Sequence, residues 1–181
     1  SYPDVAAIHY RFGAFLLKNE PARGLAEIKR ALELDPLHIP SLVTLALDCL
    51  NSGDYETARR YGQQAVQAAP GNYASHLMLG RAYLLESKSR ELEVPPEKAA
   101  APEKSAPAKK SGPPGKPQPR PTPLKDAVRE LETAVKLEPD SLDAHYNLSA
   151  AYALAGRTAD VARERAECER LKELARARTG L

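Results

Sequence analysis

The chain has 181 residues, 43% of them hydrophobic and 28% charged, with two Phe and no Trp, and its abundance of Ala, Leu, Glu, Lys and Arg predicts an all-α protein and excludes a strand-rich one. A net charge of +2 excludes a strong global field drawing the whole chain to nucleic acid or to an anionic membrane. No apolar run reaches the roughly 18 residues of a membrane-spanning helix, so a soluble protein is expected; the sequence leaves its compartment undetermined, with the cytoplasm slightly favoured and a periplasmic or secreted location still open.

The first predicted element is an amphipathic helix carrying His9, Phe12, Gly13 and Leu16, followed by a second with Gly24, Ile28 and Ala31 that stops at Pro36. Next come Leu42, Leu45, Ala46 and Cys49 at helical spacing, a turn at Asn51-Ser52-Gly53-Asp54, and a stripe of Tyr55, Ala58, Tyr61, Ala65 and Val66 ending at Pro70. Pro36 and Pro70 are 34 residues apart, and the segments ALELDP, AVQAAP and AVKLEP close equivalent helices.

A third unit opens with His76, Leu79, Gly80 and Tyr83, and its second helix, with Ala127, Leu131, Ala134 and Pro139, arrives late. Pro70 to Pro139 is 69 residues, which places an insertion of 35 inside one hairpin. The fourth unit carries His145, Leu148, Ser149 and Tyr152, turns at Gly156-Arg157 and ends in a charged helix. That helix bears a thin stripe of Val161, Cys168, Leu171 and Ala175, reads as a solubilising cap, and leaves its register open between Val161 and Ala162.

These positions resemble the tetratricopeptide repeat, a 34-residue helical hairpin with small residues where its two helices touch. The resemblance implies a right-handed α-solenoid of about four hairpins, at residues 5–38, 39–72, 73–86 plus 123–141, and 142–177. Residues 87–122 are expected to be a disordered insert within the third. Their Pro, Lys, Ala, Gly and Ser content cannot build a core, and closing a loop of about 39 residues instead of about 4 costs only roughly 2 kcal/mol more.

The resemblance further implies a concave groove lined by the first helix of each hairpin. Its positions fall on Tyr10, Ala14 and Leu17, on Val43 and Leu47, on Leu77, Arg81 and Leu84, and on Tyr146, Ala150 and Ala153. Such a mostly apolar surface suits a protein partner that presents an amphipathic helix or an extended peptide. Chaperone-binding members of the family clamp a C-terminal carboxylate with Lys, Asn and Arg; here Ala14, Thr44, Ala74 and Met78 stand at several of those places, and no clamp is expected.

Chemistry has little foothold in the sequence. No phosphate loop, H-E-x-x-H, G-x-S-x-G or dinucleotide fingerprint is present, so the expectation is no catalysis, no cofactor and no small-molecule substrate. His9, His76 and His145 share one position in three units, but equivalent residues of stacked hairpins lie about 10 Å apart, too far for a zinc ion that needs nitrogens near 2 Å; packing is expected instead. Cys49 and Cys168 lack any ligand spacing and read as small buried hydrophobes. Asn147-Leu148-Ser149 matches a glycosylation acceptor but falls inside a packed helix.

Two further readings stand beside the protein-binding scaffold. The repeats could be a module of a larger enzyme or assembly factor; apolar Val5, Ala6, Ile8 and Phe12 on the first helix predict that residues preceding Ser1 completed the solenoid. Alternatively the insert, with Lys104, Lys109, Lys110, Lys116 and Arg120, could touch anions, although the absence of aromatics there argues against nucleic acid.

Overall fold

Local chemistry sets the helix boundaries. Pro21 starts one helix at a position where its missing N–H is not needed, and the chain leaves that helix at Asp35, just before Pro36. Gly53, at a φ of 82° that side chains rarely adopt, ends the next and donates its N–H to the Cys49 and Leu50 carbonyls. Asp54 then caps the following helix by accepting from the Thr57 N–H at 3.1 Å. Asn72 and Ser141 do the same for later helices through Ser75 and Ala144.

The computed structural model describes residues 3–93 and 123–179, and these form eight helices. They are α1 (Pro3–Leu16), α2 (Pro21–Leu34), α3 (Ile39–Ser52), α4 (Tyr55–Ala68), α5 (Tyr73–Glu93), α6 (Pro123–Leu137), α7 (Leu142–Leu154) and α8 (Thr158–Thr179). Consecutive helices pair as hairpins, α1 with α2, α3 with α4, α5 with α6 and α7 with α8. Each hairpin stacks on the next through α2–α3, α4–α5 and α6–α7.

Small residues let the paired backbones approach. A methyl group on Gly24 would sit 2.7 Å from the Gly13 carbonyl oxygen, and one on Gly80 would sit 2.6 Å from Leu131 Cγ. Ala46 and Ala58, both wholly buried, occupy the corresponding place in the second hairpin. Gly62 works between hairpins instead: a methyl there would lie 3.0 Å from Leu79 Cα, so α4 presses on the backbone of α5.

The core is continuous across the insertion. Leu50 of α3, Leu77, Met78 and Leu84 of α5, Leu131 of α6, and Leu148 and Tyr152 of α7 belong to one buried cluster. The third hairpin therefore assembles from two stretches separated by the Pro-rich segment, as the 69-residue proline spacing predicts.

Its first helix is longer than expected. The sequence reading places the insert from residue 87, yet α5 continues to Glu93. Ser87 is buried and donates back to the Tyr83 carbonyl at 2.8 Å, and Glu86 pairs with Arg90 one turn later. Glu93 is the last described residue of α5. The disorder expected for the remainder of the insert, residues 94–122, concerns positions outside the described residues.

Candidate functional site: the first-helix surface

The surface formed by α1, α3, α5 and α7 repeats in register, with His9, Leu42, His76 and His145 equivalent. One residue further along lie Tyr10, Val43, Leu77 and Tyr146. Tyr10 and Val43 are half-buried and Tyr146 is 70% exposed, whereas Leu77 is 6% exposed and part of the core. At the next position Ala14 and Leu47 are exposed, and Arg81 and Ala150 are half-buried. At the last, Leu17 lies half-buried in the turn after α1, Leu84 is 2% exposed, and Ala153 is exposed.

Two of the expected groove residues are thus corrected. Leu77 and Leu84 do not line an open surface, because in the middle of the array α5 is flanked by α3, α4, α6 and α7. Val43 and Ala150 also pack partly against the core cluster. The accessible positions are Tyr10, Ala14, Leu17, Leu47, Arg81, Tyr146 and Ala153.

Neighbours fix the orientation of Tyr10. Its ring lies 5.3 Å from that of His38 at 60°, and His38 is itself held by a 2.8 Å hydrogen bond to Ser41 Oγ. Burial lowers the His38 pKa, with Asp35 opposing, which favours the neutral ring beside the tyrosine. At the other end Tyr146, Ala150, Ala153, Arg165, Cys168 and Lys172 bound an open hollow of about 450 Å³. A larger hollow of about 650 Å³ is built from α6 and the α7–α8 turn, around Leu124, Val128, Glu132 and Arg157, and no groove residue lines it.

Each of the three equivalent histidines pairs with a glutamate of its own hairpin. His9 Nδ1 lies 2.7 Å from Glu27, His76 Nδ1 lies 2.8 Å from Glu130, and His145 Nδ1 lies 2.7 Å from Glu164. His76 Nε2 also donates to the Pro70 carbonyl and His145 Nε2 to the Pro139 carbonyl, at 2.8 and 2.9 Å. Each of these two rings therefore clips both its partner helix and the proline that ends the preceding hairpin. Among the described residues no three His, Cys, Asp or Glu side chains gather as a metal site.

These clips settle the register of α8. Glu164 stands where Glu130 stands in α6, so Val161 takes the place of Ala127. The sequence reading missed the carboxylates, although their spacing was a signal. They follow the histidines by 18 and 19 residues, and by 54 in the third hairpin, which is the 35-residue insertion and again 19.

Both thiols sit in surroundings that disfavour a thiolate. Burial pushes the Cys49 pKa up, with Asp54 and Asp48 adding to it, and burial likewise raises that of Cys168 against the opposing charge of Lys172. Within the glycosylation-like triplet, Asn147 Nδ2 donates to the Asp143 carbonyl at 2.7 Å, and Leu148 and Ser149 are buried.

Stacked antiparallel hairpins with glycine or alanine at their crossing points define an α-solenoid. The Tetratricopeptide repeat family model matches residues 43–106 and 124–176, more than half of the chain, and the chain belongs to that family. No curated protein matches it in sequence.

Solved structures share the fold at low identity. The thermophilic TPR protein TTC0263 of Thermus thermophilus is 20% identical with a TM-score of 0.67, over 93% of this chain and 75% of that one. MamA residues 41 to the end from Desulfovibrio magneticus RS-1 is 18% identical with a TM-score of 0.59, over 95% and 76%. The first TPR of Spaghetti (RPAP3) bound to the HSP90 peptide SRMEEVD is 15% identical with a TM-score of 0.60, over 84% and 95%. Among the described residues no helix is long and apolar enough to cross a membrane.

Proposed function

We propose that the chain is a non-enzymatic scaffold that receives a protein partner, as an amphipathic helix or an extended apolar segment, along the first-helix surface. The observation that carries the reading is the row of accessible side chains Tyr10, Leu47 and Tyr146, each on a first helix and each held on a rigid hairpin. Large apolar and aromatic side chains on a preordered surface supply docking energy with little ordering cost.

The Spaghetti TPR holds an acidic HSP90 peptide. In the present chain Ala14, Thr44, Ala74 and Met78 replace the polar clamp that its family resemblance would call for, which favours an apolar ligand over an acidic C-terminus. Arg81, half-buried at the middle of the row, suits an acidic side chain on an otherwise apolar segment.

The test is the double variant Tyr10→Ala with Leu47→Ala, used as bait beside the wild type in affinity capture. Both side chains are accessible, so helicity by circular dichroism is expected to stay unchanged while the specific interactors are lost. Undiminished capture would move the binding surface elsewhere.

A further inference from the structure

The first and last of the described hairpins present different outer faces. In the last, exposed Arg165 stands at the place of buried Leu131 and exposed Glu169 at that of half-buried Val135, while Leu142, Leu174 and Tyr146 are 38, 41 and 70% exposed. The first hairpin presents a more continuous apolar face. α1 exposes Val5, Ile8, Phe12 and Phe15 by 42, 66, 43 and 73%, and their spacing puts them on one side of the helix.

A regular preceding hairpin is a poor fit for that face. In later hairpins the position of Ile8 is filled by Ser41, Ser75 and Ala144, each wholly buried, and that of Phe12 by Leu45, Leu79 and Leu148. The position of Phe15 is filled by Asp48, Ala82 and Ala151. At the place of Ile8 the stacked hairpins carry only small, wholly buried groups, whereas Asp48 shows that the place of Phe15 tolerates a larger one. Ile8 would hold a stacked hairpin away.

The charged C-terminal end fits no better, since it would set Arg165 and Glu169 against Ile8 and Phe15. A copy of the same face fits. Asp4 and Arg11 are both exposed, lie two turns apart and flank the apolar stripe on the same side. When two α1 helices pair antiparallel about Ile8, Val5 meets Phe12 of the other copy, and each Asp4 lies beside the Arg11 of the other. Arg23, with its guanidinium 5.8 Å from the Phe12 ring, borders the stripe, and Ile8 and Phe15 stay 66 and 73% exposed.

We infer that the Val5–Ile8–Phe12–Phe15 face of α1 is a two-fold docking surface for a second copy of this chain. It is separate from the first-helix row, whose Tyr10 and Ala14 lie on another side of α1. The two phenylalanines alone leave roughly 200 Å² uncovered, from side chains of 150 to 250 Å² each. Two such patches bring together roughly 400 Å² of ring surface, below the about 1,200 Å² of a standard stable interface, so the expected dimer is a weak one.

The experiment is sedimentation equilibrium on the 181-residue chain at concentrations up to about 100 µM. The wild type should move from the 19.7 kDa monomer to twice that mass. Ile8→Glu, with helicity checked by circular dichroism, should stay monomeric. Asp4→Arg alone and Arg11→Asp alone should each weaken association roughly tenfold, and the double charge swap should restore it. Tyr10→Ala with Leu47→Ala should leave the dimer unchanged. A monomeric wild type, a dimer that survives Ile8→Glu, a dimer lost in the groove variant, or charge swaps without rescue would each overturn the proposal.

Discussion

Replacing His76 by Leu removes one member of a buried pair whose side chains are 8% and 9% exposed. The lost bonds are those to Glu130 at 2.8 Å and to the Pro70 carbonyl at 2.8 Å. Breaking a buried pair from one side costs about 3 to 5 kcal/mol, because the remaining charge stays buried without its partner. Here the lower end applies, about 3 kcal/mol, since Arg129 still reaches the other Glu130 oxygen at 2.9 Å. The second hairpin supplies the control, for it carries Leu42 and Tyr61 at the positions of His76 and Glu130. The double variant His76→Leu with Glu130→Tyr should therefore recover most of the loss, to within about 1 kcal/mol of wild type. Urea unfolding followed by circular dichroism at the helix band gives both numbers. A single-variant loss below about 1 kcal/mol, or a double variant as damaged as the sum of the singles, would refute the clip as a structural element.

Two further outcomes follow from the packing. Gly24→Ala sets a methyl group 2.7 Å from the Gly13 carbonyl oxygen and 2.8 Å from the Leu17 nitrogen, both backbone atoms; overpacking of about 1 to 3 kcal/mol should exceed the roughly 1 kcal/mol gained in helix propensity and lower the Tm, while Gly71→Ala, which meets nothing within 4 Å, should be nearly neutral. Burial and the 2.7 Å hydrogen bond to Glu132 push Tyr152 up to about 12 from 10. Its folded-state pKa is the higher one, so its stabilising contribution is complete below pH 10 and is lost as pH rises toward 12; Tm measured across that range should fall less steeply in Tyr152→Phe.

The hairpins were legible because their signals are periodic and local. Pro36, Pro70 and Pro139 mark equivalent helix ends, and Gly13, Ala46 and Gly80 mark crossings, so repeat number and the location of the insertion follow from spacing alone. The groove was legible only in part. Tyr146 and Ala153 of the last hairpin are accessible as expected, yet Leu77 and Leu84 sit at the equivalent positions of the third and are buried, because α5 has helices packed on every side while α7 has no hairpin stacked beyond it among the described residues, and an identical register does not carry identical exposure. Gly62 shows the same limit: Ile28 and Leu131 stand at its position in the first and third hairpins, and only the approach of Leu79 from the next hairpin explains the glycine. The length of α5 depended on a few tenths of a kcal/mol per pair, such as Glu86 with Arg90, which composition alone does not weigh against the prolines beyond.

Everything above depends most on α5 and α6 being two halves of one hairpin. A specific protease site placed between residues 101 and 112 of the intact chain allows the backbone to be cut without touching any helix described. After cleavage the two fragments should elute together by size-exclusion chromatography, retain the helicity of the uncut protein and unfold in a single transition. Fragments that separate under native conditions, each with its own helicity, would contradict a continuous solenoid.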